Sequence, residues 1–390
     1  MMKGLQMSNQ LKHSAPVETK DGSLILDSHK LSYHYDRVEA WEAGEKLAPV
    51  SVDMALTRAC GAMCSFCYAM VQESQERPAI KVDTALNLLD DFAEIGVKGV
   101  SLISDGESTI SKAYVPFIQH AHKLGIDVGN ATNGWEWEPE KIDAVLPYLT
   151  WVRFTVAAGR PSSYAKIMYK GPEHTEVFDR AMDHIKYAVE LKRRLGLKVT
   201  LGIQMVLLPE MGEEIIPFSQ LALDLGVDYG VIKHCSDDEV GSLGVEYSKY
   251  KPLYPLLQEA EAMSTDETKI IVKWEKIEQR AEYKRFYGPQ FLLQISGSGL
   301  VAPSGMFFNA KFSKLHIGNF TEERFIDMFK SDRYWRAMRY LASPAFDART
   351  MMGTLPIQHY ASVALDRHAR GVELIAPANN SNPPLHVNFI

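Results

Sequence analysis

Cysteine is scarce in this chain: four in 390 residues, at positions 60, 64, 67 and 235, and none beyond. A disulfide framework is thereby excluded, and a core of this size needs none. No apolar run reaches the ~18 residues of a membrane-spanning helix. Residues 1–16 lack the apolar segment of a secretory signal. These absences lead us to expect a cytoplasmic protein with no membrane partner. Positive charge is also in short supply. A formal net charge of -7 argues against nucleic acid as the main partner. Repeats and low-complexity tracts are missing as well. What remains, 46% hydrophobic and 23% charged, is the balance of a globular protein long enough for two or three domains.

Three of the four cysteines lie within eight residues, Cys60-Gly61-Ala62-Met63-Cys64-Ser65-Phe66-Cys67. They directly follow an apolar, strand-like run at 52–56. Thiolates hold iron–sulfur clusters, and a cubane [4Fe–4S] cluster has four irons, so three local thiolates leave one iron open to a small molecule. A closed zinc site would need four ligands, often as paired CxxC motifs, and there is no second pair here.

Apolar runs at 52–56, 98–103, 127–131, 150–156, 198–207 and 227–233 read as buried parallel strands. Amphipathic segments alternate with them: one capped at Asp83 and ending at Gly96, others near 113–124, 139–147, 174–195 and 213–225. Six such units predict an α/β fold with right-handed crossovers, curved into a partial (β/α)6 barrel at 51–250. Residues 1–50 form an N-terminal extension with short strands expected around Leu24–Leu26 and Leu31–Tyr35. After a break at Tyr250-Lys251-Pro252, residues 251–345 predict a small α+β domain, with helices near 254–263, 275–286 and 322–342 and short strands at 291–303. The tail, 346–390, becomes rich in Pro and Asn from 370 and reads as irregular.

The cysteine triplet resembles the CxxxCxΦC signature of the radical S-adenosylmethionine (radical SAM) family, with Phe66 as the aromatic Φ. The resemblance implies that Cys60, Cys64 and Cys67 hold one [4Fe–4S] cluster. S-adenosylmethionine (SAM) would chelate the open iron, and an external one-electron reductant, flavodoxin- or ferredoxin-like, would trigger its cleavage to a 5′-deoxyadenosyl radical. Ser104-Asp105-Gly106-Glu107 is similar to the family's Gly-Gly-Glu motif and departs from it at the first two positions. It implies that Gly106 and Glu107 meet the SAM amino group. By the same resemblance Asn133 (of Thr132-Asn133-Gly134), Thr155 and Gln204 are candidate SAM contacts. Residues 290–320 look like a SPASM-type auxiliary-cluster domain, but Ser304 stands where a cluster cysteine would be. A hydroxyl is a poor substitute for a soft thiolate. A SPASM-like domain without cluster ligands is expected, with about four irons per chain.

Lys233, His234, Cys235 and Asp237 follow one another at the end of the sixth predicted strand. Cys235 is a candidate hydrogen-atom donor to a substrate radical. Lys233, His234 and Asp237 are candidate substrate contacts. With Asp238, Glu239, Trp135 and Trp137 they suit a small hydroxylated molecule. Epimerisation or dehydrogenation of a carbohydrate-like substrate is therefore the expected reaction. Radical modification of a ribosomally made peptide is the alternative, and a non-catalytic iron–sulfur scaffold or sensor is a third.

Overall fold

The computed structural model of the chain describes residues 16–26, 30–71, 79–171, 173–278, 282–352 and 356–390. A small antiparallel pair, β1 (Val17–Thr19) and β2 (Gly22–Leu24), stands apart from the main sheet. That sheet contains β3 (Ser51–Met54), β4 (Gly99–Leu102), β5 (Asp127–Thr132), β6 (Trp151–Thr155), β7 (Thr200–Leu207), β8 (Tyr229–His234), β9 (Lys269–Val272), β10 (Leu292–Ile295), β11 (Leu300–Ala302) and β12 (Gly318–Asn319). Its order is β12-β11-β10-β3-β4-β5-β6-β7-β8-β9. From β10 through β9 every pairing is parallel, while β11 and β12 join antiparallel.

The six expected strands are β3 to β8, in sequence order, and they form the partial barrel. They read as unbroken apolar runs because both faces are covered; every residue of β3, β4 and β7 is buried. Helix Val82–Ile95 places Ala85, Leu88, Leu89 and Phe92 against the sheet and stops at Gly96, whose φ of 93° needs a glycine. Asp83 lies in its first turn rather than at the cap, which is Lys81. Inside the barrel Gly129 and Gly202 leave space for rings. A Cβ at Gly129 would sit 2.0 Å from Trp151, and one at Gly202 would sit 2.3 Å from Tyr229.

The sheet runs across the boundary expected at 250. Strand β9 extends it beside β8, and β10 lies parallel to β3, so the C-terminal region flanks the barrel on both sides. Pairings so distant in sequence leave no local pattern. Helix Phe325–Lys330 then packs on helix Val82–Ile95: Phe325 meets Phe92 edge-on at 4.9 Å, and Arg324 bonds the buried Asp91. Leu31–His34, expected as a strand, is a 3₁₀ turn leading into helix Tyr35–Glu42. The helix expected over 275–286 is seen as Trp274–Glu278; residues 279–281 and 1–15 lie outside the described residues. Among the described residues no helix is long and apolar enough to cross a membrane.

Candidate active site

A cavity of about 380 Å³ opens at the C-terminal ends of the parallel strands. In parallel α/β folds this is the end where sites are built. Cys60, Cys64 and Cys67 all line it, in the loop after β3. The loop is carried by helix Pro161–Tyr169: Met63 N donates to Met168 O (2.8 Å) and Ser65 N to Ile167 O (2.9 Å). No element was expected from these residues, which lie between the strand at 150–156 and the helix at 174–195. Met168 also reaches the cavity, with its Sδ 3.6 Å from the Cys64 Sγ. Burial pushes the Cys60 thiol up to about 12, with Glu107 adding to the shift, and raises Cys64 as well. A metal would reverse this, because a coordinated thiol is deprotonated outright. Among the described residues no three His, Cys, Asp or Glu side chains close on a single ion; the thiols share a wall instead.

Glu107 faces the thiols from the loop after β4. It is buried, and its carboxylate is fixed by Thr109 N and Oγ1 on Oε1 (3.2 and 2.7 Å) and by Asn133 N on Oε2 (2.8 Å). Burial is the largest influence on its pKa and raises it; these hydrogen bonds act the other way. Asn133 is held in turn, Oδ1 accepting from Trp135 N and Nδ2 donating to Glu136. Gly106 has a φ of 127°, and a Cβ there would lie 2.0 Å from Thr57 O. Only glycine lets the two loops approach so closely.

Asp105, the departure from Gly-Gly-Glu, has a structural role missed from the sequence. Its buried carboxylate takes bonds from Arg58 Nε (2.9 Å), Ser296 Oγ (2.6 Å) and Gly297 N (2.7 Å). It ties the turn after β10 to the loop that carries Glu107.

Phe66, Thr155 and Gln204 also line the cavity, and the buried Gln204 Oε1 has no hydrogen-bond partner. Lys233 lines it too, as do Arg153 and Gln294, which sequence reasoning did not single out. Arg153 is the one charged residue in its apolar run, a signal that was available.

His234, Cys235 and Asp237 are not on the cavity wall. Side chains alternate along a strand, so Lys233 turns inward and His234 turns away. His234 is buried against Tyr247 and Tyr250, and burial followed by the Lys276 charge lowers its pKa, favouring the neutral ring. Cys235 is 0% exposed; its backbone N contacts Tyr250 Oη (2.9 Å), and burial pushes its thiol up to about 12. Asp237 accepts from Asp238 N, Leu243 N and Val245 N, and Asp238 from Val240 N and Ser242, so both shape their own loop. Glu239 pairs with Lys311. Trp137 is core, and Trp135 packs on Tyr169.

Ser304 is 0% exposed, and its Oγ lies 3.3 Å from Gln294 Oε1 and 3.3 Å from Gln358 Oε1. Gln358 Nε2 donates to Leu292 O and Pro303 O. A polar knot fills this place.

A thiol triplet after β3 and a buried glutamate after β4 thus share one cavity. Residues 54–222 match the Radical SAM superfamily and form a radical SAM domain. The cofactors of such a domain are a [4Fe–4S] cluster and SAM. The cavity fits them: three thiols, a soft sulfur beside them, a fixed carboxylate close by and an unpartnered amide oxygen. Among proteins of known role, the chain is similar to the sporulation killing factor maturation protein SkfB of Bacillus subtilis. The identity is 27% over 120 residues, covering 27% of this chain and 28% of that protein's length. Among solved structures, it shares its fold with Streptococcus suis SuiB bound to SAM (TM-score 0.60, 16% identity, 79% of this chain and 72% of that one). SuiB has also been crystallised with its precursor peptide SuiA (TM-score 0.59, 15% identity, 78% of this chain and 71% of that one). Native anSMEcpe with bound SAM is similar too (TM-score 0.54, 11% identity, 87% of this chain and 93% of that one).

Proposed function

We propose that this chain is a radical SAM enzyme that modifies a peptide. The observation that carries the substrate class is that SkfB, similar in sequence, is a maturation protein for a sporulation killing factor, and that SuiB, which shares the fold, has been crystallised with a precursor peptide. The carbohydrate reading loses its support, because most of the groups behind it serve the fold. Asp237 and Asp238 shape a loop, Glu239 is paired, His234 and Trp137 are core, and Lys233 alone of that set lines the cavity.

Cys60, Cys64 and Cys67 would hold the cluster, and Glu107, Asn133 and Gly106 would receive the amino group of SAM. Thr155 and Gln204 would meet its nucleoside. When bound there, the cluster and SAM would supply hydrogen-atom abstraction by a 5′-deoxyadenosyl radical. Phe66 and Met168 would keep water from the thiols. The cluster would need an electron from an external reductant. The buried polar knot at Ser304 supports a single cluster, about four irons per chain. The sequestered Cys235 argues against a thiol quench and leaves the fate of the substrate radical to other groups.

The test needs no known substrate. Reconstituted, reduced protein is given SAM and either a perdeuterated peptide pool or a perdeuterated sugar pool. Deuterium should enter 5′-deoxyadenosine from the peptides. Transfer from the sugars alone refutes the peptide reading; no 5′-deoxyadenosine at all favours a non-catalytic scaffold.

A further inference from the structure

The cavity wall contains two acidic residues, Asp105 and Glu107, and three basic ones, Arg58, Arg153 and Lys233, among the described residues. Asp105 is taken by Arg58, Ser296 and Gly297. Glu107 is taken by Thr109 and Asn133 and, in the reading above, by the SAM ammonium. Arg153 is half-buried, with its Nε unpartnered and its guanidinium 5.5 Å from the Trp151 ring. Asp53 influences it from below, in the adjoining cavity. Lys233 is left with no carboxylate. Among the described residues it makes no ion pair, and the charges that act on it are mainly cationic: Lys276, Arg153 and Lys273. Burial and those charges lower its pKa well below the lysine range.

A half-buried ammonium facing other cations gives up its proton readily, and a carboxylate entering the cavity would hold that proton in place and offset the cost. Arginine cannot relieve it by losing its proton. We propose that Lys233, backed by Arg153, is the receptor for a carboxylate of the substrate. The molecule acted on would carry an acidic group near the carbon that loses hydrogen. As to the occupant, this rests on the peptide reading: an Asp or Glu side chain, or a peptide C-terminus. SAM brings a carboxylate of its own, so the two sources must be separated.

Glutarate, with glutaramide as its uncharged counterpart, is titrated calorimetrically into the reconstituted, SAM-loaded protein and into Lys233→Met and Lys233→Arg. Glutarate should bind the unmodified chain, glutaramide should not, and Lys233→Met should weaken glutarate at least about tenfold. Lys233→Arg, which keeps the charge, should hold most of the affinity and shows that a loss in Lys233→Met is not misfolding. Equal affinities for glutarate and glutaramide, no glutarate binding, or an undiminished Lys233→Met overturns the proposal. So does a matching loss of SAM affinity in Lys233→Met, which would assign the ammonium to the cofactor. Amidating the carboxylates of the deuterated peptide pool completes the test. Undiminished transfer from blocked peptides refutes the carboxylate receptor and leaves the peptide reading intact. Glutarate binding with transfer from deuterated sugar acids alone refutes the peptide reading and leaves the receptor intact.

Discussion

Replacing Asp105 by alanine should reveal how the C-terminal region supports the site. The carboxylate is buried and accepts from Arg58 at 2.9 Å, Ser296 Oγ at 2.6 Å and Gly297 N at 2.7 Å. Removing one partner of a buried ion pair costs about 3–5 kcal/mol. The two further bonds lie within that figure, because Ser296 can turn to other partners once the carboxylate is gone. Asp105→Asn keeps the shape and one acceptor, so it should cost roughly half as much, about 2 kcal/mol. Denaturant titration of the cluster-free chain reads both. With Ser296→Ala added, Asp105→Ala should become less damaging than the sum of the two changes. SAM affinity should also fall about tenfold in the reconstituted single variant, because Glu107 lies two residues along the same loop. A cost below about 1 kcal/mol, or strict additivity with Ser296→Ala, would refute the claim that this carboxylate ties the two regions together.

Gly106→Ala places a Cβ 2.0 Å from Thr57 O at a φ of 127°, so it should destabilise by roughly 3 kcal/mol or more in the same titration; a shift within error would mean the loops separate freely. Asp53 carries a pH signature, its pKa raised by burial from 3.8 to about 6. The folded chain keeps that proton longer than the unfolded chain, so stability falls as pH rises between those values, by roughly 3 kcal/mol in all. Asp53→Asn should therefore gain stability over the parent from pH 4 to pH 7, and parallel pH profiles would contradict the assignment. Ser304→Cys should leave iron at about four per chain by metal analysis, because one added thiol amid two glutamines does not make a cluster site; about eight irons would refute this. Cys235→Ala should leave deuterium incorporation into product from deuterated solvent unchanged, and its loss would restore the thiol donor.

The barrel was legible because its strands are covered on both faces, which writes them as apolar runs. Expectation and structure differ at their ends by a residue or two, as for 227–233 against Tyr229–His234. The cavity residues Cys60, Cys64, Cys67, Phe66, Gly106, Glu107, Asn133, Thr155 and Gln204 were legible as strand-end motifs in a fixed order, and all of them line one space. The cluster at 233–237 was misread because neighbours in sequence were treated as neighbours in space; strand alternation admits Lys233 and turns His234 away. The parallel pairing of β10 with β3 was invisible, because nothing near Leu292 records that its partner is Ser51. Asp105 and Ser296 were separately visible, but their meeting depends on that pairing.

That pairing also imposes an order of events on folding. During synthesis β3 emerges early and then waits, with one edge exposed, until the residues around Leu292 have been made. Nearly the whole barrel can assemble before its first strand gains a second neighbour, a high-contact-order closure that is intrinsically slow. The cysteine loop hangs from that waiting edge, so the thiols stay accessible to incoming iron and sulfide through most of assembly. The pairing of β10 then shuts the chamber, bringing Gln294 to its wall and Ser296 to Asp105. A chain truncated before β10 would keep its thiols and lose the closure. Its exposed strand edge would be open to pairing with another copy.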